Sequence, residues 1–404
     1  MNFHAGLFPF WCLLSILLAV AYVFLILKYM EGWGALPAWE VPESFQPATK
    51  VSIIVAARNE EENILGCLNT ISQQNYPSRL FEVIVVDDHS TDGTFDLAAL
   101  FAKKHPNFKA IRLADFLAKG EKVSFKKRAI ETAIVLAKGE LIVTTDADCL
   151  VPKDWLMLLV SFYEKSKSPS DDRALSQAFT KLNFIAAPVI FHQEKNLLER
   201  FQSLDFLGMM CVTGAGIQLG WTNMCNGANL AYPKATFQEV NGFENIDRLA
   251  SGDDILLLQK VAARYPESVG FLKNRGAAVL TKAMPDWRSF VSQRIRWGSK
   301  STSYTERKVT LILASVFFFC LSILANVALA FFCGWEVFVL FAIQILIKTV
   351  IDFIFLGEMA RYFGREDLMK SFPASQVLHI VYIVGVGILS NILKNYQWKG
   401  RRVS

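Results

Sequence analysis

Between residues 7 and 27 the chain carries no charged side chain, and this run limits what the rest can become. It meets the ~20 apolar residues that a helix needs to cross a bilayer, where backbone polar groups must be satisfied within the helix. No Lys or Arg lies in the six residues before it and no small-residue cleavage site follows, so it reads as an anchor rather than a secretory signal. Three more candidate spans, at 309–335, 337–356 and 372–393, lie near the other end. They explain why 52% of 404 residues are apolar, more than an ordinary soluble enzyme carries. The expected organisation is an anchor (1–30), a linker with three prolines (31–49), a globular domain (50–300, in halves 50–152 and 153–300) and a membrane region (301–404).

If the globular part is cytosolic, the loop 357–371 with Arg361, Arg365 and Lys370 obeys the positive-inside rule, as does the far loop 334–336, which lacks Lys and Arg. A full fourth span breaks the rule, because it puts Lys394, Lys399, Arg401 and Arg402 outside. Gly385, Gly387, Ser390 and Asn391 leave a broken or re-entrant helix open there. Lys348 and Asp352, four apart in the third span, are expected to pair on one helix face.

Within the globular part, hydrophobic runs alternate with helical patterns. Residues 51–57 read as a buried strand, and Asn59 with Glu62 predicts a cap opening a helix to about residue 74. A second strand at 81–86 ends in Asp87 and Asp88. After a short strand at Ile111 and a helix at about 126–137, a strand from Leu141 ends in Asp146-Ala147-Asp148. This alternation predicts a parallel sheet, which binds ligands at the carboxyl ends of its strands, where the acids fall. The apolar stripe over 197–210 fits a core helix and a helix lying on the bilayer equally. Gly214, Gly216 and Gly220 lack the spacing of a dinucleotide loop.

Carboxylates two apart at a strand end can point the same way, and they do not sit that close in a buried place without a cation. Hard oxygens select Mg or Mn, which keep open positions for substrate phosphates; for an isolated pair the plain alternative is a solvated turn. Further clusters follow: Asn226-Gly227-Ala228-Asn229, Asp253-Asp254, Gln293-Arg294-Ile295-Arg296-Trp297 and Trp398-Lys399-Gly400-Arg401. Each alone is explained by a turn, a helix cap or an interfacial belt; the set in this order is not. Lys126 and Lys127 open the helix before the acidic strand, either as solvated charges or within reach of phosphates. The seven cysteines form no Cys-x-x-Cys pair and no zinc spacing, which fits a reducing compartment, and no partner histidine marks Cys149 as a nucleophile. A net charge of +5 without a basic run gives no reason to expect nucleic acid.

Taken together, the Val86–Thr94 stretch, Asp146-Ala147-Asp148, Asp253-Asp254 and Gln-x-x-Arg-Trp at 293–297 resemble the family 2 glycosyltransferases from about Lys50 onward. These are membrane-anchored inverting enzymes, among them cellulose, hyaluronan and poly-N-acetylglucosamine synthases and transferases acting on lipids. The resemblance implies an α/β fold of the GT-A type, a Rossmann-like nucleotide-diphospho-sugar transferase domain, with one N-terminal and about three C-terminal transmembrane helices. It implies that Asp88 contacts the nucleobase, with Ala57 and Glu60 lining its pocket. Asp146, Ala147 and Asp148 would bracket a divalent metal (Mg or Mn) and the diphosphate; from its place in the chain, Lys127 is the further candidate for the phosphates. Asp254 matches the general base, with Asp253 where the motif more often has Glu. Asn226, Gly227, Asn229, Gln293, Arg294, Arg296 and Trp297 would serve the acceptor and diphosphate side. The expected partners are a nucleotide-sugar donor, probed first as UDP-sugar, a lipid or glycan acceptor and the bilayer. The expected place is the cell membrane, multi-pass, with the catalytic domain cytosolic. A processive polysaccharide synthase and a non-catalytic membrane subunit are the alternatives.

Overall fold

The computed structural model describes residues 4–117, 124–167, 181–246, 252–299, 307–392, 396–398 and 401–403. Along the chain, α1 (His4–Ala35) is followed by β1 (Val51–Ala57), α2 (Ile64–Ser72), β2 (Phe81–Asp87), α3 (Thr94–Lys104), β3 (Phe108–Arg112), α4 (Phe125–Leu136) and β4 (Leu141–Asp146). Next come α5 (Trp155–Lys167), β5 (Phe184–Ala186), β6 (Val189–Phe191), α6 (Leu197–Gln218), β7 (Leu230–Pro233) and α7 (Lys234–Glu239). After these lie α8 (Asp253–Arg264), β8 (Val269–Phe271), β9 (Val279–Thr281), α9 (Trp287–Gly298), α10 (Arg307–Cys333), α11 (Trp335–Phe363) and α12 (Phe372–Ile392). The chain divides into two compact units. A membrane unit holds Met1–Ala35, Gln193–Ala215 and Ala283–Tyr396; a globular unit holds Leu36–His192, Gly216–Lys282 and Gln397–Ser404. Helices α6 (to Ala215) and α9 therefore belong with the apolar helices.

The globular unit is built on a seven-stranded sheet of order β3-β2-β1-β4-β7-β5-β8. Its first four strands are parallel, and β7 runs antiparallel to β4. Strands buried on both faces need near-continuous apolar runs, and β1 from Ile53 to Ala57 and β4 from Leu141 to Val143 supply them. The chain leaves β1 towards β2 and β3 on one side and returns to β4 on the other, which opens a crevice at their carboxyl ends. Register places Ala57 opposite Asp87 and Ala56 opposite Asp146, so the acidic strand ends meet there. Gly139 permits the approach of β4 to β1, since a Cβ on it would lie 2.4 Å from the Ser52 nitrogen.

One local expectation is corrected. Asn59 does not cap a helix: it takes a left-handed turn (φ 50°), and α2 begins only at Ile64. The Asn59 Oδ1 accepts instead from the Thr91 N–H at 2.9 Å, so the long-range partner wins over the local cap.

In the membrane unit, four stretches are long and apolar enough to cross a bilayer: Phe8–Ala35, Arg307–Cys333, Trp335–Phe363 and Glu366–Ile392. Polar side chains join them. The Trp11 indole donates to Asn326 Oδ1 (2.6 Å), Asn326 donates to Gln344 Oε1 (2.7 Å), and Gln344 donates to the Ser15 carbonyl (3.1 Å) and the Ser322 hydroxyl (3.0 Å). Lys348 pairs with Asp352, which also accepts from the Tyr22 hydroxyl at 2.7 Å. Helix α6 is a core helix here: Phe201, Leu204 and Leu207 are buried, and a Cβ on Gly208 would meet Leu356 at 3.0 Å. Helix α12 runs unbroken through Gly385 and Gly387. Gly387 serves close packing rather than a break, since a Cβ there would lie 2.5 Å from the Phe317 ring.

Candidate active site

Two loops at the carboxyl ends of β1 and β2 are stitched together. Arg58 donates to the carbonyls of Asp88 (2.8 Å) and His89 (2.9 Å), the Glu60 N–H donates to Thr94 Oγ1 (2.8 Å), and the Gly93 N–H donates to Glu61 Oε2 (3.0 Å). His89 has φ 53°, a strained conformation for a residue with a bulky side chain, and these bonds hold it. Asp88 is 2% exposed, and its N–H donates to the Ala57 carbonyl at 2.7 Å. Ala57 and Glu60 are buried at the same strand end. The sequence reading gave no role to Asp87, which is buried with Oδ1 lacking a hydrogen-bond partner among the described residues.

The acids of β4 and α8 converge on one ammonium. Lys126 Nζ lies 2.9 Å from Asp146 Oδ1 and 3.3 Å from Asp253 Oδ2. Burial alone would lower the Lys126 pKa, but Asp146 and Asp253 beside it hold it well above its ordinary value. Lys127 is 2% exposed, and its Nζ donates to the Ile246 carbonyl at 2.5 Å. Asp254 is fixed through both oxygens: Oδ2 accepts from the Gly227 N–H (3.1 Å) and Oδ1 from the Ile255 N–H (2.8 Å). Because β7 is antiparallel to β4, the loop before it arrives at the same end of the sheet, where Thr144 Oγ1 donates to the Gly227 carbonyl at 3.2 Å. Asp146, Asp253 and Asp254 are thereby gathered around Lys126, with Gly227 beside Asp254. Asp253 and Asp254 open α8, where the helix dipole favours negative charge.

Other nominated residues have different surroundings. Asn226 Oδ1 accepts from the Ala228 N–H at 3.0 Å, a turn contact. Asn229 is fully buried; it donates to the Pro188 (2.7 Å) and Ala277 (2.9 Å) carbonyls and accepts from the Trp155 indole (2.8 Å), a core clamp. Ala147 is buried between the two acids. Burial, with Asp148 and Asp146 nearby, pushes the Cys149 thiol up, which removes the thiolate needed of a nucleophile.

Gln293 to Trp297 lies on α9, in the membrane unit. Arg294 is buried, with Nη2 3.1 Å from Asp205 Oδ2 and the guanidinium 4.6 Å from the Trp297 ring centroid. Arg296 and Gln293 are half-buried, and Arg296 has no side-chain ion pair among the described residues. Asp205 was invisible as a partner in sequence, since it sits within an apolar stripe 89 positions before Arg294.

Among the described residues no group of three or more His, Cys, Asp and Glu side chains is placed to hold a metal ion. Asp146 and Asp148 nevertheless offer hard carboxylate oxygens at a half-exposed strand end, the donor set that Mg and Mn accept when phosphates complete the shell.

Comparison with known proteins follows the same lines. The profile described as Glycosyl transferase family 2 matches residues 52–171, and that described as Glycosyl transferase family group 2 matches residues 141–363. The chain is 33% identical over 134 residues to a beta-monoglucosyldiacylglycerol synthase of a Nostoc species, covering 33% of this chain and 28% of that protein. It is 25% identical over 273 residues to the probable glycosyltransferase YdaM of Bacillus subtilis, covering 67% and 59%. It is 22% identical over 263 residues to a poly-beta-1,6-N-acetyl-D-glucosamine synthase of Staphylococcus epidermidis, covering 64% and 56%. The matched region thus spans less than two thirds of each of these relatives. In fold, it superposes on the mannosyltransferase PcManGT of Pyrobaculum calidifontis, solved with GDP-Man and Mn2+, with a TM-score of 0.58 at 19% identity, covering 91% of this chain and 99% of that one. With more than half its length inside the second profile and a mixed sheet of the GT-A type, the chain belongs to the family 2 glycosyltransferases.

Proposed function

We propose that the chain is a membrane-bound inverting glycosyltransferase that moves a sugar from a nucleotide-diphosphate sugar, first a UDP-sugar, to a lipid or lipid-linked glycan acceptor. The convergence of Asp146 and Asp253 on Lys126, beside the fixed Asp254, carries this reading. Asp88, Ala57 and Glu60 bind the nucleobase end. Lys126, rather than the buried Lys127, faces the diphosphate. Asp146 and Asp148 would hold Mg or Mn, which when bound supplies positive charge beside the leaving diphosphate. Asp254 takes the proton of the acceptor hydroxyl. Its two N–H donors fix its direction, and each oxygen keeps a lone pair for that proton. One base and in-line attack invert the anomeric carbon. Arg296 stabilises charge on the diphosphate and Trp297 borders the acceptor.

The catalytic domain is proposed to be cytosolic, a placement that Arg361 at the end of α11 and Arg365 and Lys370 after it support through the positive-inside rule. Helix α12 packs along α9, with Tyr382 5.6 Å from Phe290 and Ser390 against Gly298.

The relative that makes poly-beta-1,6-N-acetyl-D-glucosamine, matched over 64% of this chain, supports a second reading as a polysaccharide synthase. Membranes carrying the chain, incubated with radiolabelled UDP- and GDP-sugars and Mg or Mn and then phase-partitioned, distinguish the two. Label in the organic phase establishes a lipid acceptor, and label in large aqueous or insoluble material establishes a polymer. No incorporation from any donor overturns the enzymatic reading.

A further inference from the structure

Arg294 occupies a variable place within Gln-x-x-Arg-Trp, yet it is the more deeply buried of the two arginines in this motif. Its guanidinium lies one helical turn before Trp297, with the Cζ 4.6 Å from the indole centroid, 5.2 Å from the Phe290 ring and 5.6 Å from the Tyr382 ring. Helix α6 closes the remaining side. Asp205 Oδ2 lies 3.1 Å from Nη2, and Phe206, the next residue, contacts Trp297 at a ring separation of 6.2 Å. Arg294 and Asp205 side chains are only 3% and 8% exposed.

Burying an ion pair is costly, and apolar residues of the same size would hold α6 to α9 at least as well. Packing therefore does not explain why a cation sits here. A planar guanidinium beside a carboxylate can do what a Leu or Met would not: hold an aromatic ring at a set distance and tilt. Trp297 itself remains partly exposed.

We infer that Asp205 and Arg294 are positioning residues for Trp297: Asp205 orients the guanidinium, and the guanidinium fixes the indole that meets the acceptor. The inference rests on the proposed acceptor role of Trp297.

The test uses the full chain in membranes, with the donor identified by the partition assay and a lipid extract of the same membranes titrated as acceptor. Asp205→Asn, which keeps shape, and Arg294→Lys, which keeps charge but loses the planar stack, are expected to raise the acceptor KM about tenfold while the donor KM stays within twofold. Trp297→Ala is expected to do the same, and Asp205→Asn added to Trp297→Ala is expected to change the acceptor KM by less than twofold more. Additive effects, or equal losses in kcat with both KM values unchanged, would overturn the inference in favour of a helix brace. Separately, the Trp297 emission, taken as wild type minus Trp297→Phe, is expected to shift to the red in the Asp205→Asn background. An unchanged emission overturns the coupling. A shifted emission with no acceptor effect in Trp297→Ala overturns the acceptor reading of Trp297 and leaves the coupling standing.

Discussion

Charge is handled in two ways in this molecule. Beside β4 two carboxylates share one ammonium, with Lys126 25% and Asp146 36% exposed, while Asp148 and Asp254 stand nearby. In α11 the balance is one to one: Lys348 and Asp352 are 0% and 7% exposed, and Tyr22 and Gln376 complete their hydrogen bonds. An acidic excess that is half-open to solvent keeps attraction unspent for a cation or a charged ligand. A closed, balanced pair has spent its attraction on holding helices together. The Lys348–Asp352 pair is thus no pointer to chemistry, whereas the imbalance at the strand ends is.

The comparison is broken most readily at Asp254. Asp254→Asn keeps the shape and the Gly227 contact but cannot take a proton, so turnover is expected to fall ~10²–10⁴-fold with nucleotide-sugar binding retained. Single-turnover rates beside equilibrium donor binding read this directly; unchanged turnover would remove Asp254 as the base.

Next in size is the buried pair. Lys348→Met leaves Asp352 buried without its counter-ion, an expected loss of ~3–5 kcal/mol, and adding Asp352→Leu should restore most of it. Thermal unfolding in detergent measures both, and a neutral single variant would show that the pair is not balanced as described. Asp148→Ala sharpens the other side. Donor affinity should weaken roughly 10–100-fold, the value of one charge-assisted contact, with Mg or Mn present and not in chelator. Equal weakening in both would make Asp148 a structural residue.

How much of this was readable in the sequence follows the reach of each interaction. The strand ends at Asp87 and Asp146, the Asp253-Asp254 pair and the Lys348–Asp352 spacing are local patterns, and they read through correctly as elements. The start of α2 did not, because Asn59 bonds Thr91 from another loop instead of capping its own helix. Nor did the membership of α6 and α9 in the membrane unit, which depends on partners such as Leu356, or the clamp that consumes Asn229, whose three partners lie 41, 48 and 74 positions away. Adjacent lysines show the limit most sharply. Nothing in Lys126-Lys127 says which one faces the acids, and the helix phase of α4 decides it.

The smallest expected effect lies on the boundary between the open cluster and the wall behind it. Cys149 follows Asp148 directly, but it is 1% exposed, and burial with Asp148 and Asp146 beside it holds its thiol above the ordinary range. A raised thiol pKa means that raising the pH from neutrality to about 9 generates little thiolate, so iodoacetamide should label Cys149 far more slowly than a free cysteine across that window. Cys149→Ala removes one small buried group and should leave turnover within about twofold and stability within about 1–2 kcal/mol. A large loss of turnover with folding intact would move the thiol from the wall into the site, and the charge imbalance at β4 would then have a further participant.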